Sequence, residues 1–255
     1  YETGLIFTEN KGKTDIVLMG SKSINLDDFP NLRGIFRVGV STTNVPIEQA
    51  KKRNIAVCFP SEKTKNYIYE ETADFTCGLI FKSHYKSLGT LDPWVKHNRK
   101  AFSEKILLII GEGRIGGMVK RKMEPFLNVS LFDPFKYPEV ELEPLLSKAD
   151  IVSIHIADTD ENIGFLNEEK LSLMKKNATL INTARGRIVD ENALYNKLKD
   201  ERLFAVFDVH WEEPYNGKLK KFHPERFNMT PHVASTCNEF LTGSVKDLRK
   251  FINNL

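Results

Sequence analysis

The chain has 255 residues, 41% of them hydrophobic, so it is long enough to bury one large core or two modest ones. Its 37 basic and 34 acidic residues are dispersed and leave a formal net charge of +3, which points to neither a nucleic-acid nor a membrane partner. Three cysteines without paired spacing indicate neither a disulfide framework nor a metal site, as is typical of a reducing cytoplasm. We also find no apolar run of membrane-spanning length and no signal-peptide pattern in the first residues.

The first part of the sequence reads as strands alternating with helices, an order that predicts a small parallel sheet. Asn44 is a candidate cap for the first helix, and the polar segment 61–67 reads as a loop before a long helix. The predicted strands cover 5–8, 15–19, 33–40 and 54–60, and the predicted helices cover 46–53 and 70–88.

The segment 89–100 reads as a domain boundary, and a more regular alternation of strands and helices follows it. Because the strands of such a unit run parallel, their carboxyl ends are expected to open onto one crevice, where open α/β sheets bind their ligands. The predicted strands cover 106–110, 129–132, 151–156, 178–182 and 204–209, and the predicted helices cover 144–148, 167–176, 190–198 and 239–255.

A glycine motif follows the first of these strands, which is apolar without alternation and therefore predicted to be buried on both faces. Gly111, Gly113 and Gly116 form Gly-x-Gly-x-x-Gly, whose glycines allow a tight turn, close approach of a pyrophosphate, and packing of helix on strand. Asp133 ends the second strand, where a carboxylate accepts the ribose hydroxyls and repels a 2′-phosphate. The motif therefore predicts an NAD site, which includes Arg114 and Ile115 between the glycines.

Glu112 is unusual, because it places a carboxylate in the turn that has to face phosphate. A side chain that points to solvent does no harm there, whereas one that faces the phosphates weakens binding.

Polar residues cluster after three later segments of the same half of the chain. They are Thr183-Ala184-Arg185-Gly186, the pair Asp208 and Glu213, and Thr230-Pro231-His232. The fork of an arginine can hold a carboxylate with two hydrogen bonds, and a histidine can transfer a proton near neutral pH. A carboxylate on the far nitrogen of that histidine would fix its tautomer and favour its charged form. Arg185, Glu213 and His232 are therefore candidate catalytic residues.

These segments resemble the D-isomer-specific 2-hydroxyacid dehydrogenases, a family that includes phosphoglycerate dehydrogenases and glyoxylate/hydroxypyruvate reductases. The resemblance covers residues 33–240 and is most specific over 105–236. The matching motifs are Ala-Asp-Ile-Val-Ser-Ile-His from Ala149, Leu-Ile-Asn-Thr-Ala-Arg-Gly-Arg-Ile-Val-Asp from Leu180, Phe-Asp-Val-His-Trp-Glu-Glu-Pro from Phe207 and Thr-Pro-His-Val-Ala-Ser from Thr230.

The resemblance implies an α/β fold of two domains. A doubly wound parallel Rossmann sheet, the NAD-binding domain, is expected over 89–236. A smaller flavodoxin-like substrate domain is expected over 1–88, completed by the helix in 237–255. Compared with the family, this smaller domain is short at its N-terminal end. The resemblance further implies a cytoplasmic homodimer.

The resemblance also implies a role for each candidate residue. Hydride would move between the nicotinamide of NAD and C2 of a D-2-hydroxy acid, with His232 exchanging the proton and Glu213 stabilising the imidazolium. Arg185 would bind and polarise the substrate, whose carboxylate would lie on the loop Val38-Gly39-Val40. The aspartate matched by Asp208 contacts the carboxamide of the cofactor in this family. Further positions that would line the cofactor are Thr76, His155, Ile156, Thr183 and Ala184.

The substrate and one alternative function are left open by the sequence. Ser41 and Thr43 stand where the family has a glycine and an aspartate, so the side chain of the 2-oxo acid is not predicted. An NAD-binding regulatory or corepressor-like protein would keep this fold without turnover. A formate dehydrogenase is disfavoured, because a glutamine is usual there at the position of Glu213.

Overall fold

The computed structural model describes residues 6–255. Its elements alternate between strand and helix along nearly the whole chain, as the sequence predicts. The strands are β1 (Ile16–Met19), β2 (Gly34–Arg37), β3 (Ala56–Cys58), β4 (Gly89–Thr90), β5 (Val95–Lys96), β6 (Ile106–Ile110), β7 (Asn128–Phe132), β8 (Ile151–Ile154), β9 (Thr179–Asn182), β10 (Phe204–Phe207) and β11 (Phe227–Met229). The helices are α1 (Ile47–Lys52), α2 (Glu62–His84), α3 (Arg114–Met123), α4 (Leu142–Lys148), α5 (Glu168–Leu173), α6 (Glu191–Lys199) and α7 (Asn238–Asn253). None of these helices is both long and apolar enough to cross a membrane.

The chain divides into two compact units, and the division falls inside helix α2. The first unit contains the residues up to Tyr69 together with Ser235–Leu255, and the second is Glu70–Ala234. The sequence placed this boundary after the helix, between residues 88 and 89. The structure differs because Ala73, Cys77 and Ile80 of α2 pack in the core of the second unit.

The first unit is built on a parallel three-stranded sheet in the order β1-β2-β3. The C-terminal helix α7 packs on its central strand. A side chain at Gly34 would come within 2.8 Å of Leu255 and 2.9 Å of Phe251. The rings of Phe36 and Phe251 lie 6.2 Å apart. The predicted parallel sheet and the predicted C-terminal helix are both present in this unit.

Three local predictions in the first unit are wrong. The segment 61–67 is helical, because Ser61 accepts a hydrogen bond from the Thr64 amide at 3.3 Å and so caps the start of α2. Asn44 does not cap α1; its amide donates to Gly20 O at 2.9 Å instead. Residues 6–8 form no strand, and the rest of the predicted strand 5–8 lies outside the described residues.

The second unit contains a six-stranded parallel sheet in the order β11-β10-β9-β8-β6-β7. Successive residues of β6 alternate between two cores: Leu108 and Ile110 pack with α4 to α6, whereas Leu107 and Ile109 pack with α2 and α3. The sheet is therefore covered on both faces, which confirms the predicted doubly wound fold. The chain leaves β6 toward β7 on one side and returns to β8 on the other. The strand order thus reverses at β6, the position at which such sheets bind ligands.

Two strand features were not predicted. Edge strand β11 is only three residues long, and a two-residue hairpin, β4–β5, lies in the segment read as a boundary. Strands this short contain too few residues to show an apolar periodicity.

The start of α2 is tied to α7 by one carboxylate. Asp247 Oδ2 accepts hydrogen bonds from the Ser61 amide at 2.8 Å and from the Thr64 hydroxyl at 2.6 Å. We expect Asp247→Ala to lower the free energy of unfolding by about 1–3 kcal/mol, since both donors lose a charged acceptor. Denaturant unfolding measures this loss. Asp27→Ala is the control, because the Asp27 side chain is 89% exposed and should change stability little.

The stability of the wild type and that of Asp247→Ala should respond differently to pH. Burial raises the pKa of Asp247, but hydrogen bonds from Thr64 and Ser61 and the charge of Lys250 outweigh it and leave the pKa below its usual value. The stabilisation is therefore complete above the unfolded-state pKa and is lost as the pH falls through the folded-state pKa. The stability difference between wild type and Asp247→Ala should shrink on acidification; a difference independent of pH would contradict this account.

Candidate active site

The turn between β6 and α3 has the shape that its three glycines predict. Gly111 has φ +93° and lies so close to the His155 carbonyl carbon that a Cβ would come within 2.8 Å of it. A Cβ on Gly116 would lie 2.0 Å from Gly111 O, so only glycine lets α3 approach the strand. Among the described residues 6–255, none beyond its own chain neighbours and helix backbone comes within 4 Å of a Cβ built on Gly113, which leaves space beside the turn.

This turn fits a dinucleotide. Gly113 is the N-cap of α3, and as a glycine it places no side chain over the amides of the first turn. Arg114 and Ile115 form that first turn. Backbone N–H groups at the positive end of a helix are a common phosphate site, and the open side of Gly113 gives phosphate room to approach.

Asp133 lies at the end of β7, directly beside the glycine turn. Its Oδ2 accepts the Glu112 amide at 2.9 Å, and its Oδ1 accepts the Phe135 amide at 3.1 Å. These two bonds hold the carboxylate in place and leave lone pairs on both oxygens. The side chain is thus positioned to accept further hydroxyl donors.

Glu112 neither points freely into solvent nor stands unpaired in the turn. Its side chain is 12% exposed, and its Oε2 receives the Tyr137 hydroxyl at 2.9 Å and the Lys136 ammonium at 3.2 Å. The Lys120 ammonium lies 3.5 Å from Oε1. Burial raises the pKa of Glu112, but these hydrogen bonds and lysine charges outweigh it and leave the pKa below its usual value. The carboxylate is therefore ionised and neutralised by its neighbours.

His155 and Ile156 follow β8, on the other side of the glycine turn. The His155 ring nitrogen Nε2 lies 2.8 Å from the Ser153 hydroxyl. Burial lowers the pKa of His155 to about 4, so its imidazole is neutral at physiological pH. The Ile156 side chain packs against Gly111. This segment therefore forms an uncharged wall of the turn.

A pair of threonines supports the end of β9. The Thr76 hydroxyl is buried and donates to Thr72 O at 2.7 Å, so it accepts the hydroxyl of Thr183, 2.8 Å away. Ala184 follows, and its amide donates to the Asn182 side chain at 3.0 Å. Thr76 thus contacts Thr183 from inside the unit, whereas the sequence placed it directly on the cofactor.

Arg185 lies in the turn after β9, and that turn is fixed on both sides. The Asn182 side chain donates to Arg185 O at 2.8 Å. A Cβ on Gly186 would lie 2.2 Å from the His210 carbonyl carbon, so the turn presses against the segment that leads to Glu213. The turn of Arg185 and the loop of Glu213 are therefore in direct contact.

His232 and Glu213 form a pair. His232 Nδ1 lies 2.8 Å from Glu213 Oε2 and 3.0 Å from Oε1, and each side chain is 33% exposed. Glu213 Oε1 also accepts the His210 amide at 3.2 Å. Since the carboxylate takes a proton on Nδ1, the other ring nitrogen, Nε2, is the one available for proton transfer. This is the pairing that the sequence predicts.

Asp208 anchors the loop that carries His232. Its carboxylate is fully buried at the end of β10 and accepts three hydrogen bonds, all from that loop. The donors are the Thr230 hydroxyl at 2.6 Å and the amides of Val233 and Ala234, each at 2.9 Å. His232 itself has φ +54°, a left-handed conformation that is uncommon for residues other than glycine. The contacts of Asp208 on both sides of His232 support this conformation.

A cavity of about 510 Å³ borders the His232–Glu213 pair within the second unit. His210 forms part of its wall, and its Nε2 donates to Thr230 O at 3.0 Å. This bond places a proton on Nε2. The cavity gives the pair access to a small molecule.

In the first unit, the loop Val38-Gly39-Val40 rests on a buried arginine. Arg37 is 5% exposed, and its guanidinium donates to Val38 O and to Met19 O. Gly39 has φ +134° and stands over this guanidinium, where a Cβ would come within 2.7 Å of Nη1. Arg37 is therefore not a solvated charge. The arginine instead fixes the shape of the loop.

Sequence reasoning also missed Asn182, Gly186 and the partners of Glu112. A polar side chain at the end of an otherwise apolar strand is a usable signal for Asn182, because such a group needs hydrogen-bond partners. No sequence pattern predicts the contacts of Lys136 and Tyr137 with Glu112, because they depend on how the loop after β7 folds back. Among the described residues, no group of three or more His, Cys, Asp or Glu side chains could hold a metal ion.

Comparison with known proteins shows which family the chain resembles. Residues 87–234 match the family model described as D-isomer specific 2-hydroxyacid dehydrogenase, NAD binding domain. A glyoxylate reductase of Thermofilum pendens is 34% identical over 84% of this chain and 69% of its own length. A glyoxylate reductase of Korarchaeum cryptofilum is 30% identical over 82% of this chain and 69% of its own length.

The fold is also found in solved structures. The D-lactate dehydrogenase of Aquifex aeolicus, complexed with NAD and lactic acid, superposes with a TM-score of 0.78 at 24% identity, over 95% of this chain and 83% of that chain. The family model covers more than half of the chain. The chain therefore belongs to the D-isomer specific 2-hydroxyacid dehydrogenases, a family of NAD-dependent oxidoreductases, and its cofactor is NAD.

Proposed function

We propose that the protein interconverts a small 2-oxo acid and the corresponding D-2-hydroxy acid. The hydrogen-bonded pair of His232 and Glu213 beside an open cavity carries this proposal. The nicotinamide, when bound, exchanges a hydride with C2 of the substrate. The residues of the chain would bind and orient the acid and move the proton that accompanies this transfer.

His232 is the proposed acid/base residue. In the reducing direction its Nε2 donates a proton to the oxygen on C2, and in the oxidising direction it removes that proton. Glu213 holds Nδ1 and stabilises the imidazolium, so the ring keeps one tautomer and one orientation through the cycle. A carboxylate fixed by the His210 amide does this without reorganising at the moment of proton transfer.

Arg185 is the proposed residue that binds the substrate and polarises its carbonyl. A guanidinium can hold a carboxylate with two parallel hydrogen bonds, and the turn that carries it is fixed by Asn182 and Gly186. We propose that the first unit is the substrate domain and that its loop Val38-Gly39-Val40 supplies backbone donors for the substrate carboxylate. The cofactor would be held by the glycine turn, Arg114, Ile115 and Asp133, with His155, Ile156, Thr183 and Ala184 lining it. Thr76 and Asp208 are fully buried and would act from behind, by holding Thr183 and the His232 loop in place.

The substrate class rests on the relatives. Several proteins at least 30% identical to this chain are glyoxylate reductases, and one from Archaeoglobus fulgidus is a D-3-phosphoglycerate dehydrogenase. Because the basic residue Arg37 is buried in its own loop, it offers no charge to a phosphorylated substrate. We therefore expect a small acid without phosphate.

The first test is the oxidation of NADH in the presence of glyoxylate, hydroxypyruvate, pyruvate, 2-oxoglutarate or phosphohydroxypyruvate. We expect turnover with glyoxylate or hydroxypyruvate, and a roughly hundred- to ten-thousand-fold lower kcat in His232→Ala, since a general acid contributes that much. NADH binding should be retained in the variant. Binding of NADH without turnover of any of these acids would instead favour the regulatory, corepressor-like alternative.

Arginine should be irreplaceable by lysine at position 185. In Arg185→Lys a point charge cannot reproduce the two-pronged contact, so we expect kcat/KM to fall by about a hundredfold or more while the thermal stability stays nearly unchanged. Arg187→Lys is the matched control, because Arg187 lies in the same turn but pairs with Asp158 and Asp160. Equal losses in the two variants would refute the role of Arg185.

We also propose that the protein works as a cytoplasmic homodimer. Within the described chain, the hairpin β4–β5 and its flanks expose a group of large apolar side chains that a monomer would leave in water: Tyr85, Leu88, Leu91, Trp94 and Val95. Leu91 is 82% and Trp94 is 74% exposed. A second copy of the chain is the partner that would cover them. The cytoplasmic location is supported by the free state of all three cysteines.

Replacing the two most exposed of these residues tests the dimer. Leu91→Ser combined with Trp94→Arg should shift the protein from dimer to monomer in sedimentation or light scattering, because the interface would lose its apolar contacts. Phe135→Ser is the control, since Phe135 is 98% exposed and lies outside the hairpin. A monomeric wild type, or a double variant that stays dimeric, would contradict the proposed interface.

A further inference from the structure

We propose that Glu112 is a specificity-determining residue for the cofactor. By holding Lys136, its carboxylate keeps this lysine from a ribose 2′-phosphate and so favours NAD over NADP. Glu112 has no assigned role, and its position inside the glycine turn makes it an unexpected place for a negative charge.

Glu112 contacts both Asp133 and Lys136. The Glu112 amide donates to Asp133 Oδ2 at 2.9 Å, while the Lys136 ammonium donates to Glu112 O at 2.7 Å and lies 3.2 Å from Glu112 Oε2. The Tyr137 hydroxyl also donates to Glu112 Oε2, at 2.9 Å. Lys136 is therefore held at the ribose end of the turn, next to the carboxylate that recognises the ribose.

A cation in this place opposes the selectivity that Asp133 provides. Asp133 repels a 2′-phosphate, but a basic side chain beside the ribose is the means by which related sites accept one. The Lys136 side chain is 50% exposed, and its ammonium is held by both the carboxylate and the carbonyl oxygen of Glu112. With Glu112 ionised beside it, the lysine is neutralised and already supplied with acceptors.

The second lysine of the cluster does not share this dependence. Lys120 lies 3.5 Å from Glu112 but also 3.6 Å from Glu124, so it keeps an acidic partner when Glu112 is replaced. Among the ion pairs of residues 6–255, Lys136 pairs with Glu112 alone. Loss of the Glu112 charge should therefore leave the Lys136 ammonium unneutralised, with only its hydrogen bond to Glu112 O retained.

The test compares the dissociation constants of NADPH and NADH, measured by fluorescence titration without substrate. In Glu112→Gln we expect the ratio of the NADPH constant to the NADH constant to fall by about tenfold, the effect of one freed cation at a partly exposed site. Glu124→Gln is the matched control, since it removes the same charge beside Lys120 and touches no part of Lys136. Equal shifts in both variants, or an unchanged ratio in Glu112→Gln, would overturn the proposal.

A second set of variants replaces Lys136 in the same binding measurement. Adding Lys136→Met to Glu112→Gln should restore the wild-type ratio, because the gain depends on this ammonium. Lys136→Met alone should leave the ratio unchanged, as the lysine is already neutralised in the wild type, and this exposed substitution should not impair folding. A selective loss of NADPH binding in that single variant would show that Lys136 reaches the 2′-phosphate despite Glu112 and would refute the inference. Because the readout is binding, it does not depend on turnover or on the proposed substrate.

Discussion

The buried carboxylate of Asp208 is the constraint on which the proposed catalytic arrangement depends. A charge with no access to water has to be matched by donors, and removing its partners would cost several kcal/mol. All three donors come from the loop after β11, on both sides of His232. The same interaction therefore satisfies a buried charge and sets the backbone from which the histidine projects. The left-handed conformation of His232 is stable only because these flanking contacts compensate for its strain.

The loops that follow β9 and β10 are also held in place by hydrogen bonds and close backbone contacts. Parallel strands bring their carboxyl ends to one edge, but this alone would leave side chains on separate, mobile loops. Here the two loops contact each other. The His210 backbone packs against Gly186, and the Trp211 indole donates to Val189 O at 2.7 Å. The His210 amide then holds Glu213. The order of Arg185, Glu213 and His232 in space is thus built from backbone contacts, which restrict motion more than contacts between long side chains would.

Much of this arrangement can be predicted from the sequence, and the reasons for the exceptions are physical. Unbroken apolar runs such as 106–110 reveal buried parallel strands, and the glycines that follow reveal a turn that no other residue fits. The pairing of Glu213 with His232 was predictable only by resemblance, since 19 residues separate the two in the chain. The helical start at Glu62 depends on Asp247, which is 183 residues away from Thr64, and no local pattern contains that information. The burial of Arg37 is likewise a property of the fold that no local pattern contains.

The charges around the cofactor turn show how a polyanion can be recognised without a basic patch. Asp133 and Glu112 bring two negative charges to this turn, and Lys136 and Lys120 balance them. Because these side chains neutralise one another, the features of this turn that suit a diphosphate are the helix start at α3 and the space beside Gly113. Amide dipoles act over a short range and only in a fixed direction, so they select the position of the phosphates more than they raise the general affinity for anions. Under the proposed role of Asp133 at the ribose, this balance of charge leaves the choice of nucleotide to its carboxylate.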